Sequence, residues 1–326
     1  MGSATRRLAL VALVALTSVA GASAARPASA AVKRPFARSS VWNAPQVAHA
    51  RVAANSMALV RNLQGQVATY GTWINTYAYS SPVYTVPARQ PRVSVELDTT
   101  MPALADALRS VPLPANAIPA PGTDGHLAVW QAATDRYWEF WKLHRQSDGW
   151  HARWGGVVAH ASRNAGYFPA PFGATATGLP LITGLIRVAE LRRGRIDHAL
   201  ALAIPKAKAN DFVWPAQRTD GNSPLPDAIP EGTRLRIDPQ LDVTALGLPP
   251  VGLAIATAAQ RYGIIVRDQA GAVTFYGEDA SRFGAPNPYM SLYAGKYPNN
   301  ILAGFPWGRL QVVAAPRPGA RGRPQR

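Results

Sequence analysis

The segment DGHLAVWQAATDRYWEFWKL, residues 124–143, predicts a β-hairpin whose two faces differ in chemistry. Alternate residues of a β-strand point to opposite sides of a sheet. With a two-residue turn at Thr134-Asp135, one face carries only apolar side chains, which are Leu127, Val129, Trp138 and Phe140. The other face combines an acid, an imidazole and aromatic rings, through His126, Trp130, Tyr137, Glu139 and Trp141. We therefore expect one buried face and one ligand-binding face, with Trp130 opposite Glu139.

The rest of the chain alternates short strand-like runs with Gly- and Pro-rich turns. Helical spacing predicts helices within residues 47–63, 101–110 and 249–261. Two further hairpins are expected, at 185–204 with a turn at Arg193-Gly194 and at 263–276. Many short strands with few helices are typical of an antiparallel β-sandwich, and long hairpins favour the jelly-roll type. The predicted fold is therefore mainly β: an antiparallel jelly-roll sandwich with a few short peripheral helices.

Residues 1–30 have the pattern of a secretory signal peptide. Arg6 and Arg7 precede an apolar run at 8–16, and small residues offer cleavage sites before residue 31. A transmembrane anchor would need about 20 apolar residues, so we expect a secreted soluble protein. Residues 31–313 are predicted to form a single β-sandwich domain, and residues 314–326 a disordered basic tail.

The chain is strongly basic and contains no cysteine. Its formal net charge of +16 attracts polyanions such as acidic polysaccharides, although a solvated basic surface has the same composition. Only 16% of the residues are charged, which argues against a nucleic-acid binder. The absence of cysteine excludes disulfides, thiolate metal sites and a cysteine nucleophile.

Glu139 is the leading catalytic candidate because aromatic side chains surround it on the predicted hairpin face. Apolar walls disfavour a charged carboxylate and raise its pKa, which is the pattern of a general acid in glycoside hydrolysis. Trp130, Tyr137, Trp141 and Trp154 are candidate platforms on which sugar rings stack. In the alternative interpretation, Glu139 forms a salt bridge with an arginine on an exposed sheet face.

A second pair of acids is predicted at Glu190 and Asp197, which the turn at Arg193-Gly194 places directly opposite each other. Two carboxylates across a sheet repel, so they must share a proton, bind a cation or be neutralised by neighbouring arginines. The functional hypothesis is an acid/base or nucleophile pair, and the structural one is a set of salt bridges.

One histidine and two long loops supply the remaining candidates. His126 stands at the start of the aromatic face, whereas His198 lies on an aliphatic face and is expected to be a core residue. Tyr167, Arg218 and Asp220 are candidates because long loops over a β scaffold often hold functional groups. Arg218 would bind an acidic group of the substrate, and for Asp220 a simple turn is the alternative.

Motifs for several other chemistries are absent from the sequence. It holds no GxSxG, HExxH or P-loop motif, no GxGxxG before a helix and no EF-hand loop. Asp268, Glu278 and Asp279 flank the hairpin predicted at 263–276 and are the acids available to hold Ca²⁺, but their spacing matches no standard calcium loop. We therefore predict no cofactor and no metal.

Seven short segments carry a resemblance to a family of secreted proteins of actinobacterial type, which implies no particular activity. They are DGHLAVWQ, YWEFW, GWHARWGG, GATATGLPL, GRIDHALAL, PAQRTDG and IPEG, within residues 42–313. The layout also resembles concanavalin-like jelly rolls, the scaffold of many glycoside hydrolases and polysaccharide lyases, which bears on architecture only. The ExDxxE, RxExR, QIH and YKxGxYxQ motifs of those enzymes are missing, so no catalytic residue is carried over.

Together these features predict a secreted carbohydrate-active enzyme that cleaves an extracellular polysaccharide, with an acidic one favoured by the charge. In a hydrolase, Glu139 would be general acid or base, with Asp197 or Glu190 as the second carboxylate. In a lyase, His126 and Tyr167 would be base and acid. The alternative is a non-catalytic protein that binds glycans or the cell wall through the same aromatic face. We expect no nucleic-acid partner, no membrane span and a monomer.

Overall fold

Four β-sheets and six α-helices make up the described part of the chain, with more strand than helix. The computed structural model describes Met1, residues 35–47 and residues 49–314. The predicted signal peptide beyond Met1 and the predicted tail beyond Ala314 lie outside the described residues. The described residues from 35 onwards belong to one compact unit. No described helix is both long and apolar enough to cross a membrane.

Strands and short helices alternate along the chain. The strands are β1 (Thr72–Asn75), β2 (Val83–Thr85), β3 (Val95–Leu97), β4 (Leu127–Gln131), β5 (Arg136–Trp141), β6 (His144–Arg145), β7 (Trp150–Ala152), β8 (Trp154–Ala159), β9 (Leu200–Ile204), β10 (Ala207–Phe212), β11 (Ile229–Glu231), β12 (Arg234–Ile237), β13 (Ile264–Gln269), β14 (Val273–Tyr276) and β15 (Leu310–Val312). The helices are α1 (Ser56–Tyr70), α2 (Pro102–Leu108), α3 (Val188–Arg192), α4 (Pro250–Arg261), α5 (Pro288–Leu292) and α6 (Pro298–Ile301).

The largest sheet has six strands of mixed orientation, in the order β1-β14-β9-β13-β12-β15. β1 pairs with β14 and β9 with β13 in parallel, and the other neighbours are antiparallel. Leu63 of α1 and Ile255 of α4 share a hydrophobic cluster with Leu202 and Val266 of this sheet. β9 is buried along its whole length, as expected of a central strand with covered faces.

A four-stranded sheet, β2-β4-β5-β8, contains the hairpin predicted from the sequence. Its Ala128, Trp130 and Tyr137 lie in one hydrophobic cluster with Ala201 and Ala203 of β9. The two large sheets therefore share a core, which we call the junction. Two small sheets, β3-β7-β6 and β10-β11, complete the described fold.

The β4–β5 hairpin has the two faces that the alternation predicts. One side buries Leu127, Val129, Trp138 and Phe140, and the other carries Trp130 and Glu139. The predicted register is wrong by two residues because the turn spans residues 132–135, so Trp130 pairs with Tyr137 and Ala128 with Glu139. The second face is buried too: Trp130 is 4% exposed and Glu139 0%. The hairpin therefore does not present an open ligand-binding face.

The hairpin predicted at 185–204 is wrong in its first half, which is helical. Glu190 occupies the third position of α3, and its side chain accepts a hydrogen bond from the Arg187 backbone N–H at 3.1 Å. This hydrogen bond, which is the glutamate half of a capping box, stabilises a helix start where the apolar alternation indicated a strand. Only residues 200–204 form a strand, so Glu190 and Asp197 are not paired across a sheet.

The hairpin predicted at 263–276 forms two strands that are not neighbours. β9 lies between them, parallel to β13 and antiparallel to β14. All five residues of β9 are fully buried, which favours the central position. The parallel pairs depart from the predicted antiparallel arrangement, and the jelly-roll sandwich is not confirmed; several sheets of mixed orientation are observed instead.

Two of the three predicted helices, α2 and α4, lie where the spacing places them. The third prediction, at 47–63, begins too early. α1 starts at Ser56, although Leu59, Val60 and Leu63 form its buried stripe as expected. Val52 pairs with Val313 in an antiparallel bridge, so the chain just before α1 runs beside the end of β15.

Candidate functional site

Glu139 fixes a loop at the junction, the segment of residues 171–183, which we call the junction loop. Its Oε1 accepts a hydrogen bond from the Ala174 backbone N–H at 2.6 Å. Its Oε2 accepts from the Leu181 N–H at 2.7 Å and from the Tyr137 hydroxyl at 2.5 Å. Burial raises the pKa of Glu139, and these three hydrogen bonds oppose the rise. Both oxygens are thus occupied, and the carboxylate is 0% exposed.

Arg218 binds the same loop through its carbonyl groups. Its Nη2 donates to the Gly173 carbonyl at 2.9 Å and to the Thr175 carbonyl at 2.7 Å. Its Nη1 donates to the carbonyls of Pro171 and Phe172. The sequence predicted that the Arg218 guanidinium binds an acidic group of the substrate. In the structure, its Nη1 and Nη2 groups bind carbonyls of the junction loop instead.

Arg267 supports the other end of the junction loop from β13. It is 1% exposed, and its Nη1 donates to the carbonyls of Leu181 at 3.1 Å and Thr183 at 3.2 Å. Its guanidinium lies over the Tyr276 ring, 4.0 Å from the centroid, which is a cation–π contact. A buried arginine inside an apolar strand was a visible signal that the sequence interpretation missed.

Three carboxylates, those of Asp220, Glu231 and Asp268, form an acidic cluster within electrostatic reach of Arg218. One oxygen of each lies within 4.8 Å of the other two. Asp220 belongs to the loop between β10 and β11, Glu231 ends β11, and Asp268 lies on β13. Asp220 is exposed, Asp268 is half-buried and Glu231 is 0% exposed. The acidic cluster therefore opens to solvent on its Asp220 side.

The acidic cluster has strongly perturbed electrostatics. Burial raises the pKa of Glu231 to about 9; the charges of Asp220 and Asp268 add to this effect, and the Thr219 hydroxyl opposes it. Burial and the Asp220 charge raise the pKa of Asp268 to about 7. No Lys, Arg or His nitrogen of the described residues lies within 4.0 Å of these carboxylates.

His126 is a buried, neutral imidazole near the junction loop. It is 6% exposed, and its Nδ1 has no hydrogen-bond partner among the described residues. Burial lowers its pKa to about 4; the Asp124 charge opposes this effect, and the Arg267 charge adds to it. Asp124 in turn accepts a hydrogen bond from the Trp141 Nε1–H at 3.2 Å. Asp124 was not among the sequence candidates.

The aromatic candidates divide into buried and accessible rings. Trp130 and Tyr137 belong to the core of the junction and offer no ring to solvent. The indole Nε1–H of Trp154 donates a hydrogen bond to the Pro171 carbonyl of the junction loop at 3.1 Å. Tyr167 meets Trp214 edge to face, with ring centroids 6.3 Å apart, and Trp214 is 44% exposed.

Glu190 and Asp197 are bound to different partners. Glu190 Oε2 lies 3.0 Å from His198 Nε2, and Asp197 Oδ2 lies 2.9 Å from Arg195 Nη2. Burial alone would raise the pKa of Glu190, but the charge and hydrogen bond of His198 leave it lowered. Burial alone would lower the pKa of His198, but Glu190 leaves it raised. His198 is thus one half of a buried ion pair.

Glu231 was not recognised as a site residue from the sequence, and Asp268 was weighed only as a Ca²⁺ ligand beside Glu278 and Asp279 and then set aside. Each ends a short apolar run, IPE or IIVRD, and neither run resembles a motif. They meet because β11 contacts β13 and the preceding loop brings Asp220 back beside them. Of the candidates predicted from the sequence, Asp220 belongs to the acidic cluster, and Arg218 interacts electrostatically with Glu231 and Asp268. Glu139 is instead enclosed by the core and by the junction loop that it binds.

No protein-family model, curated protein or solved structure matches the chain.

Proposed function

We propose that this protein is exported and acts on an extracellular polysaccharide at the acidic cluster. The observation that carries the proposal is that one loop holds both the exposed ring of Trp214 and the exposed carboxylate of Asp220. The neighbouring Val213 N–H donates to the Glu231 carbonyl at 2.8 Å, which anchors this loop to the cluster. An accessible aromatic ring and a polar acceptor on one loop suit a sugar, which has apolar ring faces and polar hydroxyl groups.

Asp220 is the carboxylate that meets the substrate in this proposal. The other two members of the acidic cluster are increasingly buried, and Glu139 has no free oxygen. Without the predicted signal peptide, which holds three arginines and no acid, the net charge of +16 becomes +13, and this charge favours an acidic polymer by attracting it to the protein surface. Arg218 does not supply the positive group that a sugar carboxylate needs, because loop carbonyls hold its Nη1 and Nη2 groups.

The proposal is tested by incubating the purified protein with a panel of neutral and acidic polysaccharides. Release of reducing ends without new ultraviolet absorbance indicates hydrolysis, and absorbance of unsaturated uronates indicates elimination. We expect products from at least one polysaccharide. A panel with neither products nor binding would contradict the proposal.

A protein that binds glycans without cleaving them is the second candidate. It is favoured by the burial of Glu139, because the acid that suggested hydrolysis does not reach solvent. In this case one member of the panel binds, Trp214→Ala weakens the binding, and no products form.

A further inference from the structure

Glu278 shows how this fold neutralises a buried acid with its own side chains. Its Oε1 lies 3.0 Å from Arg187 Nη2 and 3.4 Å from Arg282 Nη1. Its Oε2 accepts a hydrogen bond from the Val188 N–H at 3.2 Å. With Glu278 only 4% exposed, these partners replace the solvation that burial removes.

Glu231 is buried more deeply than Glu278 and has no cationic partner among the residues that the structure describes. Its Oε2 accepts a hydrogen bond from the Asp220 N–H at 3.2 Å. Its Oε1 is buried and accepts no hydrogen bond of normal geometry within the described chain, although the Thr219 hydroxyl lies close enough to the carboxyl to oppose the rise of its pKa. A buried carboxylate oxygen without a partner is unfavourable, so a further ligand is expected at this oxygen.

The surroundings of Glu231 add negative charge instead of balancing it. Oxygens of Asp220 and Asp268 lie within 4.8 Å of its carboxylate. Arg218, whose charge reaches the cluster, has its Nη1 and Nη2 engaged by carbonyls of the junction loop. Like charges at this separation repel strongly in a partly buried site.

We propose that Asp220, Glu231 and Asp268 bind a divalent cation, and that Ca²⁺ is the ion their chemistry fits. All three supply hard carboxylate oxygens, which Ca²⁺ prefers. Ca²⁺–oxygen distances of about 2.3–2.6 Å keep any two ligands of one ion at most about 4.6–5.2 Å apart, and the three oxygens, each within 4.8 Å of the other two, meet that limit. The exposure of Asp220 leaves room for water to complete the coordination sphere.

The cation site is independent of the glycan, because it follows from the carboxylates alone. If the proposed function also holds, the bound ion supplies the positive charge that Arg218 does not offer to an acidic sugar. The two proposals are therefore tested by separate measurements.

The experiment is isothermal titration of Ca²⁺ into the full chain after removal of metals with EDTA, with no polysaccharide present. We expect one Ca²⁺ per chain and a Tm that rises with Ca²⁺ concentration. Asp220→Asn and Asp268→Asn should each weaken binding by at least about tenfold, since ligand charge sets the affinity. Asp220 is exposed, so its variant should keep the wild-type circular dichroism spectrum. Asp211→Asn, an exposed acid of β10 outside the cluster, should bind Ca²⁺ as wild type does.

Absence of saturable binding and of a Tm shift in the wild-type protein would overturn the proposal and leave protons as the partners of the cluster. Binding that survives both Asp220→Asn and Asp268→Asn would also overturn it. A protein that binds Ca²⁺ through these residues but cleaves and binds no polysaccharide keeps the cation site and refutes only the proposed function.

Discussion

Glu139 is a buried carboxylate that holds the junction loop in position through hydrogen bonds. Two backbone N–H groups, from Ala174 and Leu181, and the Tyr137 hydroxyl converge on it. Convergent donors of this kind stabilise the charged form against burial. The aromatic surroundings read from the sequence are real, but they belong to a core, so an acid among aromatic rings here positions a loop.

Glu139→Gln should lower the free energy of unfolding by about 1–3 kcal/mol. The new amide group brings donors of its own to a site where three donors already converge. Urea unfolding measures the loss, with Glu96→Gln on β3 as a control, because Glu96 is exposed and its replacement should cost about 0.5 kcal/mol or less. Equal stability of Glu139→Gln and wild type would contradict the positioning role.

The buried pair of Glu190 and His198 should make stability depend on pH. The pKa of His198 is raised above 6.5, so its contribution is present below that pH and is lost as pH rises through the folded-state pKa. The pKa of Glu190 is lowered below 4.5, so its contribution is present above that pH and is lost as pH falls through the folded-state pKa. Both contributions are complete between pH 4.5 and 6.5.

Glu190→Gln should therefore destabilise the protein most in this window, by about 2 kcal/mol, and less at about pH 8 or pH 3. Denaturant unfolding of wild type and variant across this pH range measures the difference. A difference that does not change with pH would show that the pair is not charged in the folded protein.

Among the elements, the β4–β5 hairpin shows what the sequence predicts, and β9 shows what it does not predict. Period-2 alternation predicts the faces of β4 and β5, because a register shift of two residues leaves every side chain on its own side. It does not predict the register, which depends on a turn at 132–135 with Asp135 at a φ of 54°. Nor does any local pattern place β9 between β13 and β14, since that pairing is a long-range event.

Gly184 is placed where a loop approaches β9 closely. Its φ is 66°, its carbonyl accepts from the Ala201 N–H at 3.0 Å, and a Cβ there would lie 2.3 Å from the Ala201 nitrogen. Gly184→Ala should destabilise the protein by about 1–3 kcal/mol beyond the backbone strain itself. Gly194→Ala is the matched control, because Gly194 has the same φ of 66° and nothing within 4 Å of the added carbon. Equal unfolding free energies of the two variants would contradict this role of Gly184.

At the scale of the whole molecule, the site is assembled from segments distant in sequence. Arg218 and Asp220 were selected for their long loop, which is where functional groups often lie. The contact of Asp268 with Glu231 was not predicted, because it depends on how β11, β13 and that loop pack together. Hydrophobic periodicity and sequence motifs predict local structure, whereas the acidic cluster forms only when segments distant in sequence pack together.

Binding of an acidic polysaccharide should be sensitive to salt, because the chain without residues 1–30, which hold three arginines and no acid, still has a net charge of +13. Affinity should fall as ionic strength rises past about 0.15 M, where charges are screened within about 8 Å. Affinity electrophoresis at increasing NaCl measures this, with a neutral polysaccharide as the control. Affinity for the acidic polymer that stays constant with salt would remove the argument for an acidic substrate.

The location of the chemistry is decided by comparing the turnover of Asp220→Asn and Glu139→Gln on the polysaccharide that the wild-type protein cleaves fastest. At a Ca²⁺ concentration that saturates wild type and variant alike, Asp220→Asn should lose at least about 100-fold in turnover while keeping its fold, because this carboxylate meets the substrate. Glu139→Gln should stay close to the wild-type rate at temperatures well below its Tm. A folded Glu139→Gln without turnover, together with an active Asp220→Asn, would contradict the account and return the chemistry to the β4–β5 hairpin.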